Sequence, residues 1–138
     1  MVWNDCLEKN DAIKSQRDIG KAKSLIEMAQ DRISFFDNIE KKNYNVMFEN
    51  LYSSLIEYLH AIIIMDGYKV KNHVCLGHYI REIMKREDLF NLFDDCRFKR
   101  NSLVYYGNQM EKEIALESVR RIKRLIDDIK AFLPNVKF

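Results

Sequence analysis

The chain has 138 residues, of which 47% are hydrophobic and 32% charged, and its net charge is +2. This balance excludes a disordered chain, and the net charge is too small to indicate nucleic-acid binding by itself, so any basic surface must be local. With only 4 Gly and 1 Pro, the composition disfavours many short strands joined by tight turns and favours long helices. We therefore expect one all-α domain spanning residues 1–138.

Apolar residues spaced three and four apart predict five helices. The first runs from about Asp11 to Asp37, and Gly20 weakens its first turns. The second runs from about Asn43 to Asp66, and its wide apolar face makes it the central helix. The third runs from about Asn72, a plausible N-cap, to Arg86.

The fourth helix is predicted from about Asp88 to Tyr106, and the fifth from about Met110 to Leu133, where Pro134 closes it. Short connections between neighbouring helices favour an antiparallel bundle of about five helices. The apolar stripes predicted to face the core include four residues near helix ends, namely Ile19, Ile83, Val104 and Ile114.

The three cysteines, Cys6, Cys75 and Cys96, are odd in number, widely spaced and without a C-x-x-C pair. This pattern predicts a reducing compartment rather than a disulfide framework or a zinc site. The start of the chain has no basic-then-apolar leader, and the most apolar run, residues 61–65, is too short to cross a bilayer. We therefore expect a cytoplasmic protein without membrane attachment.

No metal or other cofactor is expected. His73 and His78 are five residues apart, which is poor spacing for one ligand face on a helix, and no acidic cluster completes a site with them or with His60. The aromatic residues of the first two helices are expected to lie in the core rather than to form a stacking surface; they are Phe35, Phe36, Tyr44, Phe48, Tyr52 and Tyr58.

Arg100 is the chemically unusual residue of the fourth helix. At about 100° per residue it falls in the middle of the apolar side, between Cys96 and Val104. An unpaired guanidinium in an apolar interior costs several kcal/mol, so Arg100 must meet carboxylates, a cavity or a second interface. A purely structural interpretation pairs Arg100 with Glu49, Glu57, Asp94 or another inward acid, which would fix the register of the bundle.

The neighbouring stripe holds Arg97, Asn101 and Tyr105, spaced four apart, so these side chains point the same way on a continuous helix. With Arg100 they form a compact patch of positive charge, an amide and a phenol, to which Tyr106 is adjacent. Such a patch suits phosphate or an RNA backbone. A second basic cluster in the fifth helix is expected to be a solvated face; it contains Arg120, Arg121, Lys123 and Arg124.

The order Arg97-x-x-Arg100-Asn101-x-x-x-Tyr105-Tyr106-Gly107 resembles the motif region of HEPN domains, helical bundles that bind nucleotides or cleave RNA. The opening Asn43-Tyr44-Asn45 and the ending Asp66-Gly67-Tyr68-Lys69 of the second helix are similar to one branch of these proteins. The resemblance covers about Asp11 to Phe132.

In active HEPN domains an Arg is followed after four to six residues by a His, and the pair cleaves RNA without a metal at a homodimer interface. The resemblance implies that Arg100 matches this Arg, that Asn101 matches the polar residue after it, and that Tyr105 occupies the His position. A phenol, with a pKa of about 10, does not readily exchange protons at neutral pH. Ribonuclease activity through Arg100 and Tyr105 is therefore expected to be weak or absent.

The resemblance also implies partners. The expected ones are RNA or a nucleotide bound at the patch, a second copy of the chain packed on the motif face, and a small nucleotidyltransferase in a toxin–antitoxin-type pair. The alternative to RNA binding is thus a non-catalytic partner module, in which the motif braces an interface.

Overall fold

The computed structural model describes residues 2–38 and 43–133, and about 75% of these residues are helical. In chain order the elements are α1 (Trp3–Glu8), β1 (Ala12–Lys14), α2 (Ile19–Asp37), α3 (Tyr44–Met65), β2 (Tyr68–Val70), α4 (His73–Glu82), α5 (Glu87–Tyr106) and α6 (Lys112–Lys130). The all-α class and the helical bundle are confirmed, although the described residues form six helices rather than five.

Helix α3 is the centre of the core. The side chain of Asn43 caps its start by accepting hydrogen bonds from the backbone N–H groups of Asn45 and Val46. Its end follows from Gly67, whose φ of +89° is a left-handed conformation that favours glycine. Most of its residues are buried, and α2 and α6 pack along it. The predicted bounds of the second helix are therefore confirmed.

The first predicted helix is wrong over its opening residues, which form β1 instead. Strand β1 pairs antiparallel with β2, with Ala12 opposite Val70, and the backbone N–H of Ser15 continues the pairing by donating to the Gly67 carbonyl at 2.8 Å. Helix α2 begins only after Asp18, whose side chain accepts from the Lys21 N–H. Pairing with β2 holds residues 12–14 extended, and the apolar spacing that favours a helix begins only at Ile19.

The expectation that the cysteines remain unpaired is also wrong. Helix α1, which sequence periodicity did not predict, packs against α4, and there Cys6 and Cys75 form a disulfide across 69 residues of chain, with their Cα atoms 6.0 Å apart. Tertiary packing, rather than sequence spacing, brings the two thiols together. The cysteine pattern therefore gives no support to a reducing compartment. Cys96 is free and buried, and burial raises its pKa to about 12.

Several predicted core residues at helix ends are exposed. Ile19, Ile83, Val104 and Ile114 are 52%, 41%, 43% and 50% exposed, respectively. Each lies in the first or last turn of a helix or just beyond it, where the apolar stripe extends past the elements that cover its middle. Ile83, for example, follows the end of α4 at Glu82, four residues earlier than predicted.

Phe35, predicted to be a core residue, is 63% exposed, whereas the other aromatics of that set are buried or partly buried. Pro134, the predicted end of the last helix, lies outside the described residues. Within residues 2–38 and 43–133, none of the helices has the length and apolar character required to cross a membrane.

Candidate phosphate-binding site

Helix α5 is anchored in the core by Leu89, Phe93 and Cys96. One turn beyond Phe93, the guanidinium of Arg97 is bound to an acidic residue of the same helix. Its Nε and Nη2 atoms donate to Oδ1 of Asp94 at 3.2 and 3.0 Å, and its guanidinium lies 4.6 Å from the ring centre of Phe98. The positive charge of Arg97 is therefore largely compensated within its own helix.

Arg100 lies between two tyrosine rings. The carbon of its guanidinium group is 5.4 Å from the ring centre of Tyr52, which comes from α3, and 5.4 Å from that of Tyr105. Its Nη1 atom donates to the Tyr105 hydroxyl at 3.2 Å and makes a long contact of 3.5 Å with Oδ1 of Asn101. Arg100, Asn101 and Tyr105 thus come together as predicted, whereas Tyr106 is 76% exposed and contacts none of them through hydrogen bonds within the described chain.

The predicted acidic partners of Arg100 are all engaged elsewhere. Glu57 accepts from Nε of Arg32 at 2.6 Å, Asp94 binds Arg97, and Glu49 lies within 3.5 Å of the Ser53 hydroxyl. Among residues 2–38 and 43–133, Arg100 forms no ion pair, and its Nε atom is buried without a hydrogen-bond partner. The structural interpretation of Arg100 as half of a buried salt bridge is therefore wrong for this part of the chain.

His73, which was considered from the sequence only as a metal ligand, belongs to the same cluster. Its Nδ1 atom lies 2.9 Å from the Tyr52 hydroxyl, so that Tyr52 contacts Arg100 through its ring and His73 through its oxygen. The first turn of α4, which carries His73, is fixed by the Asn72 N-cap and by the disulfide of Cys75. We refer to Arg100, Asn101, Tyr105, Tyr52 and His73 as the Arg100 site.

No sequence signal pointed to His73 or to Tyr52. From the sequence, His73 was compared only with His78, on the same helix. Its observed partner is Tyr52, which lies 21 residues earlier on α3. Tyr52 was correctly predicted to be buried, since it is 1% exposed. The prediction did not include the contact that its hydroxyl makes with His73 of α4. Contacts between elements depend on packing, which helical periodicity does not specify.

The electrostatics of the Arg100 site keep His73 neutral. Burial, followed by the charges of Arg100, His60 and Arg97, lowers the pKa of His73 to about 4. Burial also raises the pKa of the Tyr52 phenol, an effect that the charges of Arg100 and Arg97 only partly oppose. At neutral pH the formal charge of the site is therefore the single positive charge of Arg100.

This arrangement predicts that stability falls in mild acid. Because the pKa of His73 is lower in the folded protein than the value of about 6.5 in the unfolded chain, protonation of the unfolded chain favours unfolding as the pH falls from about 6.5 to about 4. We expect His73→Gln to remove on the order of 1 kcal/mol of this loss between pH 7 and pH 5, after allowance for solvent screening. Urea denaturation at the two pH values measures it, and an identical acid loss in wild type and variant would contradict it.

The second basic cluster differs from Arg100 in having acidic neighbours. Arg120 and Arg121 lie within 4 Å of Glu117, and the side chain of Arg120 is 68% exposed. Lys123 lies 3.8 Å from Asp37. This cluster is the solvated helix face that its sequence predicts, and Arg120 is a suitable control for substitutions of Arg100.

Searches for relatives identify no family for the chain. No protein-family model matches the sequence, and no curated protein is significantly similar to it.

Proposed function

We propose that this protein is a HEPN-like helical bundle that binds RNA through a backbone phosphate at the Arg100 site, with weak or no ribonuclease activity. The proposal rests on the burial of Arg100 and on the partners that its guanidinium lacks among the described residues. This arginine is only partly exposed, lacks an acidic partner within the described residues, and retains a buried Nε donor without an acceptor. Contact with the faces of Tyr52 and Tyr105 offsets only part of the cost of this desolvated charge, which a phosphate oxygen would compensate further.

The neighbours of Arg100 are suited to the same ligand. If the Tyr52 hydroxyl donates to Nδ1 of neutral His73, the proton of the imidazole is on Nε2, which can donate to a phosphate oxygen. The amide of Asn101 and the exposed phenol of Tyr105 add two further polar groups beside the guanidinium. Tyr105 is 67% exposed, so its ring is also available for a nucleotide base to stack on.

Binding is better supported than cleavage. Tyr105, in the position that the resemblance assigns to the catalytic His, has a hydroxyl that accepts a hydrogen bond from Arg100. A phenol is a poor proton shuttle at neutral pH, and the lowered pKa of His73, about 4, makes that imidazole a weak base. Neither group is matched to proton transfer near pH 7, so we propose that RNA is held rather than cut.

Arg100→Ala is expected to weaken binding of a single-stranded oligoribonucleotide by tenfold or more at low salt, because it removes the uncompensated cation. The logarithm of the wild-type affinity should fall linearly with the logarithm of salt concentration, and the variant should lose about 0.7 from that slope. Fluorescence anisotropy measures both quantities, and circular dichroism checks that the variant is folded.

The matched control is Arg120→Ala, which removes the same charge from the exposed face of α6 and should change RNA affinity by less than about twofold. Equal losses in the two variants would mean that RNA responds only to net charge. Unmeasurable binding of wild type at low salt would reject the proposal. A thermal-shift panel of nucleotides, run in parallel, shows whether a mononucleotide is sufficient to fill the site.

A partner module is the second candidate, because apolar side chains are exposed near the same end of α5. Val104, Tyr105 and Tyr106 are 43%, 67% and 76% exposed. Val46, itself 52% exposed, lines a cavity of about 200 Å³ together with Leu103 of α5. A second copy of the chain or a small nucleotidyltransferase packed there would cover these residues. Light scattering of wild type and Val104→Asp tests this candidate, which requires a dimer or complex that the variant disrupts.

A further inference from the structure

A second cavity lies on a different surface, between the two-stranded sheet and helices α2 and α3. Its volume is about 330 Å³, within the range of small-molecule sites. Residues from four elements line this cavity, which we call the lysine groove; they are Ile13, Lys21, Leu25, His60, Ile64, Tyr68, Lys69, Val70 and Lys71.

The lysine groove carries uncompensated positive charge. Lys21, Lys69 and Lys71 line it, and no acidic residue does. In the described ranges none of these lysines forms an ion pair, in contrast to Lys99, which binds Asp95 at 2.9 Å. Three lysines among the lining residues of one cavity, with no acidic residue among them, favour an anionic ligand.

The floor of the groove is apolar. Leu25 and Ile64 come from α2 and α3, and Ile13, which pairs with Lys69, lies on the same face of the two-stranded sheet as that lysine. His60, on α3 beside Ile64, makes no hydrogen bond within the described part of the chain. Burial and the charge of Lys21 lower the pKa of His60, so its imidazole is neutral and able to donate one hydrogen bond to an acceptor in the groove.

We infer that the lysine groove binds a small amphipathic carboxylate. Its carboxylate would lie against Lys21, Lys69 and Lys71, and its apolar body would pack on Leu25 and Ile64. The charge at the rim selects an anion, and the apolar floor selects a molecule with a hydrophobic part. An RNA backbone would satisfy the lysines but would leave that floor uncovered. The inference does not depend on the Arg100 site.

The test uses isothermal titration calorimetry of the whole chain with octanoate, octanol and octylammonium, which share an eight-carbon body and differ in charge. We expect octanoate to bind with a submillimolar Kd and the other two to bind at least about tenfold more weakly. Lys21→Gln/Lys69→Gln should weaken octanoate binding by about tenfold. Lys23→Gln, an exposed residue of α2 outside the groove, and Arg100→Ala should leave it unchanged.

Three results would overturn the inference. They are absence of octanoate binding, equal affinity for octanoate and octanol, and an octanoate affinity that is the same in the double-lysine variant and in wild type. If the double-lysine variant instead lost RNA affinity while octanoate failed to bind, the lysines would belong to a polyanion surface. The three overturning results concern octanoate and octanol alone and do not depend on whether Arg100 binds RNA, so failure of either proposal can be recognised separately.

Discussion

Replacing both Cys6 and Cys75 by Ala is expected to lower the melting temperature by about 10 °C, because the disulfide that joins them closes a long loop of chain. For a separation of 69 residues the loop-closure relation gives roughly 4 kcal/mol of stabilisation, at the upper end of the range typical of disulfides. For a domain of this size each kcal/mol shifts the melting temperature by several degrees. Both side chains are fully buried, so alanine avoids placing a new polar group in the core. Differential scanning calorimetry of wild type and the double variant measures the shift.

Reductant and Cys96 provide the controls. Dithiothreitol should lower the melting temperature of wild type towards that of the double variant and leave the double variant unchanged. Cys96→Ala, which removes the free buried thiol and keeps the disulfide, should respond to dithiothreitol with the same shift in melting temperature as wild type. If reductant leaves the wild-type melting temperature unchanged and the double variant melts with wild type, the tether between α1 and α4 is not a source of stability.

Tyr52→Ala is expected to destabilise the fold by about 3–5 kcal/mol and to abolish RNA binding at the Arg100 site. The ring is 1% exposed and stacks on Phe93 with a centroid distance of 6.3 Å, so its removal leaves a cavity between α3 and α5. It also removes one of the two rings that hold the Arg100 guanidinium. Urea denaturation and fluorescence anisotropy of the same samples measure the two effects.

Tyr52→Phe separates the ring from the hydroxyl. It keeps the surface under Arg100 and removes only the hydrogen bond to His73, so we expect a stability loss of about 1 kcal/mol and an RNA affinity within about threefold of wild type. An affinity loss as large as that of Arg100→Ala would show that the hydroxyl, rather than the ring, organises the site. A loss of less than 1 kcal/mol in Tyr52→Ala would contradict the packing role of the ring.

The long helices were predictable because the spacing of their apolar residues and the residues at their ends are local features of the sequence. The apolar face of α3, the Asn43 cap and Gly67 specify one helix with defined ends, and the structure has the same bounds. The spacing of Arg100, Asn101 and Tyr105 likewise depends only on local helix geometry, so their clustering could be predicted from α5 alone.

The remaining features depend on contacts between distant segments. Strand β1 exists because β2 lies opposite it, and the disulfide exists because α1 packs on α4. His73 joins the Arg100 site through its contact with the hydroxyl of Tyr52. Tyr52 lies on α3, 21 residues earlier in the chain. Helical periodicity contains no information about such pairs. For this reason α1 was not predicted, β1 was predicted to be part of a helix, and His73 was considered only as a metal ligand.

Binding of phosphate to the Arg100 guanidinium is measured most directly by the ¹H–¹⁵N NMR signal of its Nε–H group, assigned by its absence in Arg100→Ala. We predict that titration with a single-stranded oligoribonucleotide shifts this signal saturably, with the Kd obtained by anisotropy, because the guanidinium gains a phosphate partner and its Nε atom has no acceptor among residues 2–38 and 43–133. The Arg120 signal should not move. An Arg100 signal that stays in place while RNA saturates the protein would contradict the proposal that Arg100 binds the phosphate.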